Sequence, residues 1–158
     1  RLNIMTKELS ISNIKEELLS RIKHDADIRC YIGIEEIKKD LLAELNNISD
    51  IDENILFFHD NDYKGDMMNY VTIEAEEQEY KDETGYRVVY PVKITVGFEN
   101  PITNVNENLD KCSERITNIV RELFPKRYNL TNKAKIINDK STCSHYPYFS
   151  RVIQFVAE

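Results

Sequence analysis

The chain has 158 residues and a formal net charge of −7, from 28 acidic and 21 basic side chains. This length predicts a single domain, residues 1–158, that buries roughly 70% of its unfolded surface and folds without a metal or a disulfide. The acidic excess argues against a protein that grips nucleic acid by its phosphates, and no apolar run approaches the roughly 20 residues of a membrane span.

Three segments predict helices from the spacing of their apolar residues. The first covers residues 12–24, and Ser12 is its expected N-cap. The second covers 34–46. The third covers 107–123 and stops before Pro125, which cannot continue a helix.

Five segments predict strands, at residues 54–58, 69–80, 86–98, 134–138 and 148–158. The second and third alternate in polarity and flank KDETG, where Gly85 suits a left-handed turn position, so they predict a long antiparallel hairpin. Pro91 lacks an N–H, and we therefore expect its strand to lie at a sheet edge or a bulge. The element order predicts an α+β fold, with a mostly antiparallel sheet, a long central hairpin and helices packed mainly on one face.

The stretch DNDYKGD, which begins at Asp60, has part of the pattern of a calcium-binding loop. Asp60 and Asp62 fall at the first and third ligand positions, and a glycine falls at the sixth. However, Lys64 occupies the fifth position, and Val71 occupies the twelfth, where a bidentate glutamate is required. The stretch therefore predicts a polar loop between strands and no metal site.

Few other residues point to chemistry. Cys30, Cys112 and Cys143 are an odd number with no close pair, which predicts a reducing compartment and no disulfide framework. Cys143 and His145 would need two further ligands to hold zinc. A nucleophilic Cys–His pair stays open, because such pairs are spatial, but the chain has no nucleophile elbow and no glycine-rich phosphate loop. We expect no catalytic residue, no metal and no cofactor.

A cluster of acids, EAEEQEYKDE, occupies residues 74–83. Like charges on neighbouring strand positions repel one another. One interpretation is a solvated strand end that faces bases such as Arg87 and Lys93; the other is a surface whose function is to be negative. The short basic stretch FPKRY after the third helix favours no nucleic-acid site, because bases are common at helix C-termini.

Taken together, the elements resemble those of bacteriophage tail terminators and related neck proteins, which join head and tail. The resemblance rests on an N-terminal amphipathic helix, a long central hairpin, the single mid-chain helix NENLDKCSERITNIVRELF and the terminal strand SRVIQFVAE. It implies a ring, usually of six copies, that caps the tail tube and docks to the head–tail connector protein. It also implies a virion protein assembled in the bacterial host cytoplasm, without catalysis, cofactor or membrane contact, past which DNA moves without specific binding.

The resemblance also suggests which residues meet partners. The predicted interface or channel-facing positions are Glu74, Glu76, Glu79, Asp60, Asp62, Lys64 and Phe155. The three glutamates would face the DNA channel, because carboxylates repel phosphates. The polar loop at residues 60–66 would contact the next ring, and the strand carrying Pro91 or the C-terminal strand would pair with a neighbouring copy.

Other functions stay open on the sequence. The first is another neck component, such as a head–tail stopper or a tail-completion protein. The second is a small α+β domain that binds a small molecule or a peptide and has no connection with phage. The third is an enzyme that uses Cys30 or Cys143 as its nucleophile.

Overall fold

Helices and strands are described for residues 8–32, 55–58, 69–98, 105–137 and 148–158 in a computed structural model. The helices are α1 (Ile11–Lys23), α2 (Ala26–Ile32) and α3 (Val105–Leu123). The strands are β1 (Ile55–Phe58), β2 (Asn69–Ala75), β3 (Gln78–Asp82), β4 (Gly85–Phe98), β5 (Arg127–Ile137) and β6 (Tyr148–Ala157). The predicted α+β class is confirmed. The predicted helix at 34–46 and the loop at 60–66 lie outside the described residues.

The strands form a sheet in the order β1-β2-β4-β6-β5, and β3 pairs with β4 beyond the end of β2. Every strand pair described is antiparallel. Helix α3 lies against β4, β5 and β6, and α1 lies against β2. Among the described strands, β2, β4 and β6 lie inside the sheet, and β2 has a partner on its outer side only at residues 69–72.

Pro91 lies in an interior strand, which corrects the expectation of an edge or a bulge. It is paired with Val156 of β6 on one side, while the N–H of Glu76 donates to its carbonyl oxygen at 2.9 Å on the other. Register is unbroken from Ala75, opposite Val92, to Gln78, opposite Val89. Pro91 has no N–H to donate to Glu76 in exchange. The break between β2 and β3 therefore lies where this one hydrogen bond of the ladder is missing.

A two-residue turn, Glu83 and Thr84, joins β3 to β4. Gly85 follows it with a φ of 127°, which only glycine adopts without strain, so the predicted role of this glycine is confirmed. The carboxylate of Asp82 accepts a hydrogen bond from the N–H of Thr84 at 2.9 Å. This side-chain-to-backbone bond is the reason that an aspartate suits the position before the turn.

Strand β5 begins at Arg127, seven residues before the start predicted from the apolar run at 134–138. The first part of β5 was not predicted because a β-bulge interrupts the alternation of residues along the strand. At this bulge the register with β6 shifts between Tyr128 and Thr131. Asn129 has a φ of 53° there, a left-handed conformation that asparagine tolerates better than most residues. The extra residue turns Leu130 toward the core, where it is half-buried against the main cluster.

Helix α1 begins one residue earlier than predicted, and its N-cap is Ser10 rather than Ser12. The hydroxyl of Ser10 accepts a hydrogen bond from the N–H of Asn13 at 3.1 Å. The predicted apolar stripe is confirmed, since Ile14, Leu18 and Ile22 are fully buried. The core continues through side chains of the sheet and of α3, among them Val71, Ile73, Val92, Ile94, Val96, Leu109, Ile116, Ile119, Val120 and Ile153.

Helix α2 was not predicted, because seven residues are too few to show a helical period. The residue that marks the start of α2 is Asp25. Its carboxylate caps the helix by accepting a hydrogen bond from the N–H of Ile28 at 3.0 Å. The same carboxylate receives Arg115 of α3 at 2.8 Å. Asp25 thus fixes the start of α2 and ties it to α3, and Ile28 is buried beneath.

Candidate interaction surfaces

Among the described residues, the sheet face that carries Glu74 borders a shallow cavity of about 550 Å³, and we call this face the open face. The residues that line the cavity are Glu74, Glu76, Pro91, Val92, Lys93, Asn129, Thr131, Lys133, Gln154, Phe155 and Val156. Lys93 Nζ lies 3.8 Å from a carboxylate oxygen of Glu74, and both side chains are well exposed, so this pair adds little stability. With two glutamates and two lysines in its lining, the cavity is mixed in charge.

The structure brings together only two of the three glutamates predicted to face a channel. Glu74 and Glu76 share the open face, because residues two apart in a strand point the same way. The unbroken register to Gln78 places Glu79 on the opposite face, although it is exposed. Asp60, Asp62 and Lys64 lie outside the described residues.

Phe155 belongs to the core. Its side chain is 2% exposed, and its ring centroid lies 5.2 Å from that of Phe124. Its strand, β6, has β4 on one side and β5 on the other. Among the described strands, the C-terminal strand therefore has a partner on both sides, and the strand of Pro91 lacks a partner on its β6 side only at residues 85–89. Phe155 is buried in the isolated chain.

A two-stranded arm extends past the end of the sheet. We define the arm as residues 78–89, which comprise β3, its turn and the first residues of β4. The last residue of β6 that pairs with β4 is Ala157, opposite Tyr90. Among the described residues, no strand therefore lies beside the β4 half of the arm on its β6 side.

The arm carries three of the four large apolar side chains that are exposed in the described part of the chain. Tyr80 is 47% exposed, Tyr86 is 74% exposed and Val88 is 37% exposed. Each tyrosine faces a base across the ladder: Arg87 lies 5.7 Å from the Tyr80 ring centroid, and Lys81 lies 5.8 Å from that of Tyr86. These two cation–π pairs lie on opposite faces, so the arm presents a tyrosine and a base to both sides.

The base of the arm is anchored to the rest of the molecule. Tyr90 donates from its hydroxyl to the carbonyl oxygen of Leu9 at 3.1 Å, and Glu77 lies 3.4 Å from the same hydroxyl. Burial, followed by the charge of Glu77, raises the pKa of Tyr90. Arg87 also reaches the side chain of Glu158 at 3.3 Å. The arm therefore has a fixed base and an exposed tip.

The two sides of the sheet carry opposite charge. On one side, β1 pairs with β2 only as far as Thr72, and no described strand covers residues 73–82 beyond it. We call this stretch the acidic edge; its charged residues are Glu74, Glu76, Glu77, Glu79, Lys81 and Asp82. On the other side, β5 is the last strand of the order, and its charged residues are Arg127, Lys133 and Lys135. The acidic edge thus has five acids against one base, while β5 has three bases and no acid.

These surfaces are only partly predictable from the sequence. The acid cluster at 74–83 was recognised, but its place on an open side depends on pairings between distant segments. The exposed tyrosines of the arm were missed, although each is next to a base in the sequence, as in Tyr80–Lys81 and Tyr86–Arg87. Alternation marks the face of a strand and leaves open which strand lies beside it.

Chemical groups in the described region are few. Cys112 is a free, buried thiol, and burial raises its pKa far above the ordinary value, which keeps it protonated. Among the residues that the structure describes, no group of three or more His, Cys, Asp or Glu is placed to hold a metal ion. No helix in these ranges is long and apolar enough to cross a membrane. Cys143 and His145 lie outside the described residues, as does the side chain of Cys30.

Comparisons with protein-family models, with curated proteins and with solved structures found no match to this chain.

Proposed function

We propose that this protein is a structural component of the neck of a bacteriophage or phage-tail-like particle. Copies of the chain form a ring, with six as the expected number, that caps the tail tube and joins it to the head–tail connector. The observation that carries the proposal is the arm, residues 78–89, with its exposed tyrosines and with no strand outside its own two in the described part of the chain. Two-stranded ribbons are marginally stable alone in water, and exposed apolar groups often mark contact sites, so such an arm favours a protein that acts in an assembly.

The mechanism in this proposal is geometric and requires no catalysis. One face of the ring meets the last ring of the tube and prevents further addition, while the other meets the connector. The arm supports two separate contacts, one with the tube and one with the connector, because it extends past the sheet with a tyrosine and a base on each face. These groups combine apolar area with a polar or charged tip, a combination that suits protein contacts.

DNA passage is part of the same proposal. The acidic excess of the chain and the two glutamates on the open face disfavour phosphate binding. Lys93 and Lys133 on that face moderate the repulsion, so the surface neither grips nor strongly repels a passing duplex. Glu79 is not part of this surface, because it lies on the other face of β3.

A second candidate is a small α+β domain that binds a small molecule or peptide. The observation in its favour is the cavity of about 550 Å³ on the open sheet face. Ligand sites of that size are mostly apolar with a few polar groups, whereas charged residues are prominent in this lining. The other neck roles, head–tail stopper and tail-completion protein, share the arm argument and differ in the partner that the ring meets.

The test is a polymerisation assay with the tube protein of the same particle. Added protein is expected to shorten the growing tubes and to bind at tube ends, measured by electron microscopy and sedimentation. The double variant Tyr80→Ser and Tyr86→Ser should lose this effect, while Glu114→Ala, an exposed change on α3, should keep it. Tubes of unchanged length with bare ends in the presence of the unmodified protein would overturn the proposal.

A further inference from the structure

Among the described strands, the acidic edge and β5 lie at the two sides of the sheet and run in opposite directions. Across the sheet, β2 and β3 run one way, β4 runs the other, β6 returns and β5 reverses again. Rotation about an axis leaves the direction of a strand along that axis unchanged from copy to copy. If the acidic edge of one copy meets β5 of the next, the two strands are therefore antiparallel, as are all strand pairs described within the chain.

The charges on these two sides are complementary. The acidic edge has five acids and one base, and β5 has three bases and no acid. Opposite charges across a strand pair stabilise it, whereas like charges directly opposite destabilise it. Two acidic edges, or two β5 strands, would therefore repel, and the favoured contact joins unlike sides.

We propose that the acidic edge, residues 73–82, of one copy pairs with β5 of a second copy, so that the sheet continues from subunit to subunit. This inference rests on the ring in the proposed function and specifies the contact that builds it. A contact between two different surfaces is head-to-tail, and it closes into a ring when the rotation between copies allows. The partner is a second copy because the chain itself carries both complementary strands.

The acidic edge and β5 lie at different levels along the strand direction, and this offset is compatible with a closed ring. The acidic edge extends along β4 to Gly85, whereas β5 reaches, through β6, only the level of Tyr90. Joined copies are therefore offset along the strands by about five residues. Sheets that close on themselves need such a stagger, because their strands tilt against the axis. Tyr128, near the start of β5, is exposed. In this arrangement it lies beside the acidic edge of the next copy.

Charge reversal on each side tests this contact. The first variant, Glu74→Lys with Glu76→Lys and Glu79→Lys, leaves the acidic edge with four bases and two acids; the second, Lys133→Glu with Lys135→Glu, leaves β5 with two acids and one base. The side chains of Glu74, Glu76, Glu79 and Lys133 are exposed. Each variant alone sets like charges against each other, so self-association should weaken at least about tenfold. An equimolar mixture should restore the unmodified assembly, because both contacts in an alternating ring then pair unlike charges.

Mass in solution is measured by light scattering after size exclusion, at low salt and from micromolar to millimolar concentration, with circular dichroism as the check on folding. Glu114→Lys on α3 is the control for added charge and should assemble normally. Hydrogen exchange should show protection of both residues 73–82 and 127–137 on assembly. Folded variants that assemble alone like the unmodified protein, a mixture that stays monomeric, or an unmodified chain that is monomeric throughout would each overturn the pairing.

The same variants separate this inference from the function it rests on. If the unmodified protein and both variants all stop tube growth, the neck function stands and the strand contact is wrong. If the mixture restores association but the unmodified protein leaves tube growth unchanged, the contact stands and the neck function is wrong.

Discussion

At the scale of single residues, the ring of Phe155 packs in the core of the sheet. As a late residue of the last strand it was a candidate for contact between copies. In the fold it is buried against Phe124 and lies in a strand flanked on both sides. A deletion of the last four residues would therefore damage the core before it could report on assembly.

Substitution of Phe155 tests its place in the core. Phe155→Ala should lower the free energy of unfolding by about 3–5 kcal/mol, because it leaves a cavity beside Phe124. Gln154→Ala, an exposed neighbour, should change it by less than about 0.5 kcal/mol. Urea denaturation followed by circular dichroism measures both. A Phe155→Ala variant of unchanged stability that fails only in assembly would return Phe155 to the interface.

Asp82 gives a residue-scale prediction for pH. Hydrogen bonds from Thr84, first from its hydroxyl and then from its N–H, hold the pKa of Asp82 below its ordinary value. The folded pKa is thus lower than the unfolded one, so the turn is stabilised above the unfolded pKa. That stabilisation is lost as the pH falls through the folded value.

Removal of the Thr84 hydroxyl separates the two hydrogen bonds. In Thr84→Ala the N–H bond to Asp82 persists, so the pKa of Asp82 should rise toward the ordinary value without reaching it. A carboxylate titration by NMR measures the pKa in both proteins. An Asp82 pKa that Thr84→Ala leaves unchanged would contradict the assignment of the hydroxyl as the larger cause.

At the scale of elements, the arm depends on its turn. Gly85 has a φ of 127°, although a Cβ placed there would meet no atom within 4 Å. Gly85→Ala is therefore strained by its backbone alone, at a cost on the order of 1–3 kcal/mol.

Because the arm lies beyond the core, we expect this cost to appear as local fraying. Amide exchange in residues 78–89 should become faster in Gly85→Ala while exchange in α3 stays the same. A variant with unchanged arm exchange would show that the turn tolerates a side chain. A uniform loss of protection across the chain would show that the arm is part of the cooperative core.

The sequence predicted elements well where one periodic signal ran long enough. The nineteen residues of α3 and the alternation of β4 located both elements to within two residues. The seven residues of α2 and the bulged start of β5 were missed, because a short helix has no period to read and a bulge breaks the alternation.

Neighbour relations were harder to predict than elements. The edge expected for β6 was wrong and that of β4 is limited to residues 85–89 in the described part of the chain, because the partner of a strand is decided by contacts between segments far apart in the chain. Pro91 is an example, because its missing N–H predicted an edge. In the structure it lies inside the sheet, where it accepts a hydrogen bond from Glu76 and donates none in return. The acid cluster was visible in the sequence, but its position on an open side was not.

At the scale of the whole molecule, one sheet links the observations. Its core side packs against the helices, its open face carries mixed charge, and its two sides carry unlike charge. The arm extends beyond it with tyrosines exposed on both faces. These features together favour a protein that acts by its contacts with other copies and with the ends of a tube.

Imaging of the protein on tail tubes is the most direct measurement of this claim. Tubes from the same particle, mixed with the purified protein, are examined by negative-stain electron microscopy with averaging of their ends. We predict a closed ring of several copies at one end of each tube and no ring along its length. Tubes with bare ends, in a sample where the protein remains monomeric, would contradict the account.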